Sequence, residues 1–414
     1  MDSRGIGRRV AYWRNRRRMT QDAFASLLER SVRWVEDLEG GRRQSDPRLS
    51  VLEAIARVLQ IPLEALLADP PTAQCTDAVE LALIRAALQH HDVITGTAGT
   101  APPAPLPVGV LRAQLVHART AFQAGRFGMV SRTVPELLVA ANASAAQLTG
   151  DDQLTAYQLL ALTLELAEAA AIKAGDTDLA TIAGHRAVAA AERSEDPIIM
   201  ASSARHLADA MTGHGQPQAA VAFALASAAR LAPVLLARGG TAVSTSVLGM
   251  LYLKASLAQA AVAESLGEDS AAAAVFDFLN EADGHASRLD RSDGNELWTA
   301  FNATNCALYR VAAHVQLFDG AAAVAVAAEI PPTATAALPR ERRAHLWGDL
   351  ARAYTQAGRY EEAVTTLLRA EDEAPEEVRC RPRTRLLVED LRLLANGAGQ
   401  GRLRALAGRC GLPQ

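Results

Sequence analysis

Residues 20–43, TQDAFASLLERSVRWVEDLEGGRR, contain the start and stop signals of two short helices. Thr20 is a good N-cap, and the apolar residues that follow it are spaced to cover one helical face: Ala23, Phe24, Leu27 and Leu28. Ser31 is a second N-cap, and the apolar residues of the next helix share one side: Val35 and Leu38. Gly40-Gly41 supplies the positive φ that ends this helix. The pattern predicts a helix-turn-helix.

The polar side of the second helix indicates what the motif contacts. The stretch resembles helix-turn-helix regulators of the Xre/Cro-repressor type over about residues 4–68, and the matching residues are Thr20, Gln21, Phe24, Ala25, Ser31, Val35, Leu38, Glu39, Gly41, Arg42 and Arg43. The resemblance implies a five-helix DNA-binding domain with its recognition helix at about residues 32–39. Glu29 departs from the family, which usually has glycine in the turn, and a non-glycine residue with positive φ is strained.

Contacts with double-stranded DNA are expected from the first helix end, the caps and the outer face of the second helix. The expected DNA-binding residues are Arg16, Arg17, Thr20, Gln21, Ser31, Arg33, Trp34, Glu36, Asp37, Arg42 and Arg43. Residues 1–18 hold seven arginines against Asp2, the charge asymmetry of a nucleic-acid-binding end, although the whole chain has a net charge of −4. Arginines 16–18 have two interpretations, either cations at the negative end of a helix or phosphate contacts.

Composition favours an all-α fold for the remaining chain. Half of the 414 residues are hydrophobic but only 4% are aromatic, which is typical of closely packed, alanine-rich helices. We expect a helix-turn-helix domain at 1–69, a connecting helix and flexible linker at 70–107, and a tetratricopeptide-like α-solenoid at 108–414. The Gly- and Pro-rich stretch 95–107 predicts the linker. No Gly-Lys-Ser/Thr follows it, so a phosphate-binding loop is excluded.

From residue 108 onward helix follows helix without a strand pattern. The clearest unit, 344–377, has the spacing of a tetratricopeptide repeat in Trp347, Leu350, Tyr354, Gly358, Ala363, Leu367, Ala370 and Pro375. Weaker copies surround Gly125 and Gly215. We predict about six helix pairs, which bury their apolar faces only by stacking into a solenoid.

Several other classes of protein are disfavoured. The four cysteines form no Cys-x-x-Cys pair, so we expect neither a metal site nor a disulfide framework, and no cofactor. No hydrophobic signal core or uninterrupted membrane-length run is present, which predicts a cytoplasmic protein without membrane contact. No arrangement of serine, histidine and acid resembles a catalytic site, so we expect no enzyme and no catalytic residue.

The combination of motif and repeats resembles actinobacterial Xre-type regulators and, more distantly, the peptide-sensing regulators of Gram-positive bacteria. That resemblance implies a concave repeat surface that binds a small-molecule or peptide effector. The effector-binding candidates are Arg205, Trp298, Asn302, Asn305 and Tyr309, the last four on one predicted inner helix at 295–309. Hydrogen bonding between repeats, or a hydrated surface, would also explain the asparagines. Arg205 interrupts an apolar stretch, and either pairs with a neighbour such as Asp209 or receives an acidic ligand.

Two functions remain open at this point. The first is a transcriptional regulator that senses an effector and binds a pseudo-palindromic operator as a homodimer, because one short motif reads too few base pairs. The alternative is an adaptor whose solenoid docks a protein partner, with DNA binding secondary. The acidic side chains of the second helix, Glu36, Asp37 and Glu39, keep the alternative open because carboxylates repel phosphates unless they accept from cytosine.

Overall fold

The computed structural model describes residues 3–17, 19–39, 48–61, 63–67, 77–89, 104–266, 269–290, 295–395 and 399–412. Every regular element in these ranges is a helix, so the predicted all-α fold class is confirmed. The chain divides into two units, Met1–Gln74 and Cys75–Gln414. Residues 95–103 of the predicted linker lie outside the described ranges.

The first unit contains the five expected helices: α1 Ser3–Arg16, α2 Gln21–Leu27, α3 Val32–Glu39, α4 Leu49–Leu59 and α5 Glu64–Leu67. Their apolar faces meet in one core around Val10, Phe24, Val35 and Ile55, all fully buried. Helix α1 lies very close to the end of α3 at Gly7, where a Cβ atom would come within 2.1 Å of the Leu38 carbonyl oxygen. Only glycine permits this approach, which sets the position of α3.

The second unit is a succession of helices: α6 Asp77–Gln89, α7 Val108–Gln123, α8 Phe127–Gln147, α9 Gly150–Ala174, α10 Thr177–Arg193, α11 Pro197–Gly213, α12 Pro217–Leu235, α13 Ala242–Leu266, α14 Asp269–Ala286, α15 Ala303–Gln316, α16 Gly320–Glu329, α17 Pro332–Ala336, α18 Arg340–Gln356, α19 Tyr360–Glu373, α20 Pro375–Arg379, α21 Pro382–Leu394 and α22 Gln400–Arg409. Two single-turn 3-10 helices, Ala237–Gly239 and Glu296–Trp298, interrupt the connections.

Most of these helices form antiparallel pairs, and the first helices of successive pairs contact one another along one surface. The described part contains seven pairs, α7/α8, α9/α10, α11/α12, α13/α14, α15/α16, α18/α19 and α21/α22, one more than predicted. The unit predicted at 344–377 is the pair α18/α19, which turns at Gly358. The predicted connecting helix is α6, and its buried Ile84 and Leu88 share an apolar core with α7 to α11.

The repeats curve until the two ends of the array touch. The Lys173 ammonium of α9 donates to the carboxylates of Glu341 in α18 and Glu377 in α20, the latter at 2.8 Å. The amide of Gly128, in the first turn of α8, donates to Glu376 at 2.7 Å. The first helices of the pairs therefore enclose an interior in which polar side chains are buried.

Two described helices, Pro217–Leu235 and Ala242–Ser265, are long and apolar enough to cross a membrane by length and composition. In the second helix, 72% of the most apolar window is buried inside the unit, against 22% in the first. Length and composition of this kind are shared with the core helices of globular proteins.

Candidate nucleic-acid interface and polar interior of the repeat unit

Both predicted N-caps of the helix-turn-helix are present. The Thr20 Oγ1 atom accepts from the Ala23 amide at 3.1 Å, and the Ser31 Oγ atom accepts from the Trp34 amide at 3.2 Å. Between them Glu29 adopts φ 54°, the left-handed conformation that makes glycine usual at such a position. The hydroxyls of Thr20 and Ser31 thus position α2 and α3.

Glu39, at the end of α3, is held by the first helix of the domain. Its two carboxylate oxygens accept from the Nε and Nη2 atoms of Arg14 at 2.6 and 3.0 Å, the bidentate geometry of a strong ion pair. The Gln21 amide also donates to Glu39, at 2.9 Å, so this expected DNA-facing group is engaged inside the domain. These contacts connect α1, α2 and α3 and remove Glu39 from the acidic outer surface of α3.

Several N-terminal arginines bind the domain itself. The Arg17 guanidinium donates to the carbonyls of Leu59 at 2.9 Å and Gln60 at 3.2 Å, and so closes the C-terminal end of α4. Arg9 donates to the Leu66 carbonyl at 2.8 Å. Some arginines of residues 1–18 therefore stabilise the fold of the domain and are not only surface charges. Of the other expected phosphate contacts, the side chain of Arg16 and the residues Arg42 and Arg43 lie outside the described part.

The outer face of α3 presents two exposed charged side chains, Arg33 and Glu36. Trp34 and Asp37 are half-buried, and the Arg30 guanidinium lies 5.7 Å from the centre of the Trp34 ring. A guanidinium can bind a guanine edge through two hydrogen bonds, and a carboxylate can accept from the cytosine amino group. The face of α3 thus offers one donor and one acceptor suited to base edges in the major groove.

The predicted inner helix at 295–309 is wrong. Leu297, Trp298 and Ala300 have φ values of 51°, 56° and 49°, which break the helix, and α15 begins only at Ala303. Asn302 is the N-cap of α15, and its side chain accepts from the Asn305 amide at 2.9 Å. Asn302 and Asn305 therefore do not share a helical face, and Asn302 has a capping role.

The break is stabilised by an aromatic wedge and by long-range amide contacts. Phe301 is fully buried in a niche at Gly249, where a Cβ atom would approach its ring to 2.0 Å. The Asn295 and Gln123 side chains exchange two hydrogen bonds, at 2.8 and 3.0 Å, although 172 positions separate them. The Arg119 guanidinium carbon lies 5.4 Å from the centre of the Trp298 ring. We call residues 295–301 the crossing segment.

Tyr309 is buried in a row of polar and charged groups that crosses four helix pairs. Lys254 donates to the Asp209 carboxylate at 2.6 Å, and its ammonium lies 5.8 Å from the centre of the Tyr309 ring. The Arg342 guanidinium carbon is 5.7 Å from the same ring. Burial acts to raise the pKa of Asp209, but the charge and hydrogen bond of Lys254, together with the charges of Arg381 and Arg205, lower it. Asp209 thus has Lys254 as its hydrogen-bonded partner, and Arg205 acts on it only without direct contact.

A second buried cluster surrounds Glu165 in α9. Its carboxylate accepts from Arg119 at 2.9 Å, and from the hydroxyls of Ser202 and Ser203 at 3.1 and 2.9 Å. One turn further, the Glu168 carboxyl and the His206 Nδ1 atom are 2.5 Å apart.

Glu168 and His206 both favour their uncharged forms. Burial, followed by the charge of Asp209, raises the pKa of Glu168 well above its ordinary value. Burial, followed by the charges of Arg205 and Arg119, lowers the pKa of His206 well below its ordinary value. Of the cluster around Glu165 and Glu168, sequence reasoning identified only the neighbouring Arg205. The same signal, a charge that interrupts an apolar helix, marks Arg119, Glu165, Glu168 and Lys254.

Among the described residues, Glu341, His345 and Glu377 place ligand-type atoms within 4.8 Å of one another. The Lys173 ammonium already donates to both carboxylates and supplies the positive charge between them. The Nε2 atom of His345 faces Asp349 at 3.5 Å. This group is therefore satisfied as a salt-bridge network.

Comparisons with known proteins agree with the N-terminal geometry. Residues 6–69 match a family model described as a helix-turn-helix domain. No curated protein matches the chain. Among solved structures, the crystal structure of Bacillus thuringiensis PlcR in complex with the peptide PapR7 and DNA is similar at 12% identity, with 86% of this chain and 98% of that chain covered and a TM-score of 0.35. A likeness at that score supports no conclusion about this chain.

The family match and the described helices coincide in the first unit. Its α2 and α3 carry the caps, the turn and the buried apolar face of the motif. The chain therefore combines a helix-turn-helix domain at residues 6–69 with a helical-repeat domain.

Proposed function

We propose that the protein is a cytoplasmic transcriptional regulator that binds double-stranded DNA through α3 and adjusts this binding to an effector held by the repeat domain. The observation that carries the proposal is the construction of α3. Val35 and Leu38 are buried in the core and Glu39 is fixed by Arg14, while Arg33 and Glu36 are exposed. A rigid helix with charged groups on its outer face is what reading base edges requires.

The operator is proposed to be a pseudo-palindrome bound by a homodimer. One helix of eight residues, α3, reaches only a few base pairs, so useful specificity needs two half-sites about one helical turn apart. The repeat domain supports the sensing role because its interior holds charged groups that a purely structural array would not need. Burial of such groups is costly unless they are paired or bind a ligand.

The test is a gel shift with DNA from upstream of the protein's own gene, at several salt concentrations, with light scattering of the free protein. We expect a retarded band that an excess of scrambled duplex displaces only weakly. We also expect light scattering to give a dimeric mass. A monomeric mass together with one-to-one operator binding would contradict the dimer. Failure to bind any fragment above non-specific levels would favour the adaptor function.

A further inference from the structure

Arg205, in α11, is a buried cation without a partner among the described residues. The residue is 6% exposed, and no described residue accepts a hydrogen bond from its guanidinium, forms a salt bridge with it or places a ring over it. The carboxyls of Glu168 and Asp209 interact with its charge only without direct contact. The cations around it are paired: Arg119 with Glu165, Lys254 with Asp209 and Arg342 with Glu341. A buried guanidinium ordinarily requires such a partner.

The acidic groups near Arg205 do not supply the missing charge. Glu165 and Asp209 are bound to other cations, at 2.9 and 2.6 Å. Glu168 is occupied by His206, and its environment favours the uncharged acid. Arg205 therefore has no carboxylate in direct contact with its guanidinium among the described residues.

A second unpartnered group lies at the same height in the interior. Asn305 is fully buried, and neither atom of its side-chain amide has a hydrogen-bond partner among the described residues. Asp209, Lys254 and Tyr309 form one row across α11, α13 and α15, which run parallel because one helix intervenes between each. Arg205 lies four residues before Asp209, and Asn305 lies four residues before Tyr309. Both side chains therefore lie about one helical turn nearer the helix N-termini than this row.

We infer that Arg205 and Asn305 form the binding site of a small organic carboxylate, with the guanidinium as the ion partner and the amide as a second donor. The planar guanidinium matches a carboxylate through two parallel hydrogen bonds. One guanidinium without a contacting partner matches a monoanion and would leave a phosphate dianion half neutralised. The carboxylate belongs either to a free organic acid or to the C-terminus of a short peptide.

The crossing segment contacts the residues around this interior. Leu297, Trp298 and Ala300 hold left-handed conformations, which are strained for residues other than glycine and persist only where the surroundings enforce them. Leu297 packs against the apolar cores on both sides of the interior, while Trp298 lies over Arg119, the neighbour of Arg205. Entry of the acid displaces this segment, so the Trp298 indole reports binding.

The first experiment needs no ligand and measures the thermal midpoint, Tm, of the full chain. Arg205→Met keeps the length of the side chain and removes the unpaired charge, so Tm should rise by about 2 °C or more. Arg119→Met, which strands the carboxylate of Glu165, should lower Tm, and the exposed Arg230→Met should leave it unchanged. A fall in Tm for Arg205→Met comparable to that for Arg119→Met overturns the inference, because it shows that Arg205 is paired.

The second experiment measures Tm shifts and Trp298 fluorescence with straight-chain carboxylic acids, aryl acetic acids and a pool of short peptides. Each acid is compared with its primary amide, and Trp298→Phe identifies the signal of the reporter. A free acid should stabilise the wild type more than its amide does, and Arg205→Met should weaken binding by at least about 30-fold while Arg230→Met does not. Asn305→Leu should weaken it less.

The outcomes separate the sources of the carboxylate. A Tm shift with small acids alone identifies a free organic acid as the ligand, and a Tm shift with free-acid peptides alone identifies a peptide C-terminus. Equal shifts by acid and amide, a shift that persists in Arg205→Met, a larger shift by inorganic phosphate, or no shift by any carboxylate overturns the inference. The inference rests on the proposed function only in calling the acid the effector. Because no DNA is present, failure of operator binding leaves the carboxylate result intact.

Discussion

The Arg14 guanidinium and the Glu39 carboxylate form a two-point ion pair across the helix-turn-helix domain, with both side chains at most 10% exposed. The pair joins the end of α1 to the end of α3. A third Arg14 hydrogen bond, to the Met19 carbonyl at 2.6 Å, fixes the start of the motif. Under the proposed function, the position of the reading helix depends on two charges inside the domain.

Glu39→Met should destabilise the domain by about 3 kcal/mol, because it leaves the Arg14 charge buried without its partner. The double variant Arg14→Met/Glu39→Met should recover most of that loss, since both charges are removed together. Urea unfolding followed by circular dichroism measures the free energies. If the double variant is as unstable as Glu39→Met, the unpaired charge of Arg14 does not cause the loss of stability.

Arg33→Ala should reduce operator affinity by about 1–3 kcal/mol and relax the preference at one base pair per half-site, as loss of a base-edge contact does. Arg57→Ala, also exposed but on α4, is the matched control and should retain the base preference. Binding to a set of single-base operator variants distinguishes the two. Identical profiles for Arg33→Ala and the wild type would remove Arg33 from the reading face.

The pair Glu168 and His206 should make little net contribution to the pH dependence of stability between about pH 4.5 and 6.5. Glu168 has a raised pKa, so its stability contribution is present below its ordinary value of 4.5 and is lost as pH rises. His206 has a lowered pKa, so its contribution is present above its ordinary value of 6.5 and is lost as pH falls. In this window the two slopes cancel.

Single variants of this pair should separate the two slopes. Glu168→Gln should lose stability as pH falls from 6.5, and His206→Gln should lose it as pH rises from 4.5, each by up to about 1.4 kcal/mol per pH unit. Chemical unfolding at a series of pH values, compared with the wild type, gives the slopes. Slopes of the same sign in both variants would contradict the assignment of uncharged forms.

Gly249→Ala should expel Phe301 from its niche and loosen the crossing segment, because the new methyl group would overlap the ring. Overpacking of this kind costs about 1–3 kcal/mol. The control is Gly284→Ala in α14, where nothing lies within 4 Å of the added atom and a small gain in helix stability is expected. Acrylamide quenching of Trp298 should increase only in Gly249→Ala.

Local signals in the sequence predicted much of the first domain. Thr20 and Ser31 were identifiable as caps because a cap bonds to a backbone amide only three residues away. The burial of Phe24, Val35 and Leu38 follows from helical periodicity. These contacts are short in sequence, so residue type and spacing determine them.

The helix predicted at 295–309 is wrong because the residues that shape the crossing segment are far away in sequence. The periodicity of residues 295–309 suits a helix, but the Gly249 niche and the Gln123 amide hold the chain in another conformation. The Arg14–Glu39 pair spans 25 positions, so residue spacing does not predict it. Pairing across the interior, such as that of Lys254 with Asp209, produces no periodic pattern in the sequence.

The bonds from Lys173 to Glu341 and Glu377 have a consequence for how the protein is made. An open repeat array gains stability one repeat at a time, so its first repeats can fold while the ribosome is still extending the chain. Here the partners of a buried lysine in α9 are two carboxylates that are synthesised 168 and 204 residues later. Until those carboxylates emerge Lys173 stays in contact with water, so we expect the domain to reach full stability only after α18 and α20 have been synthesised.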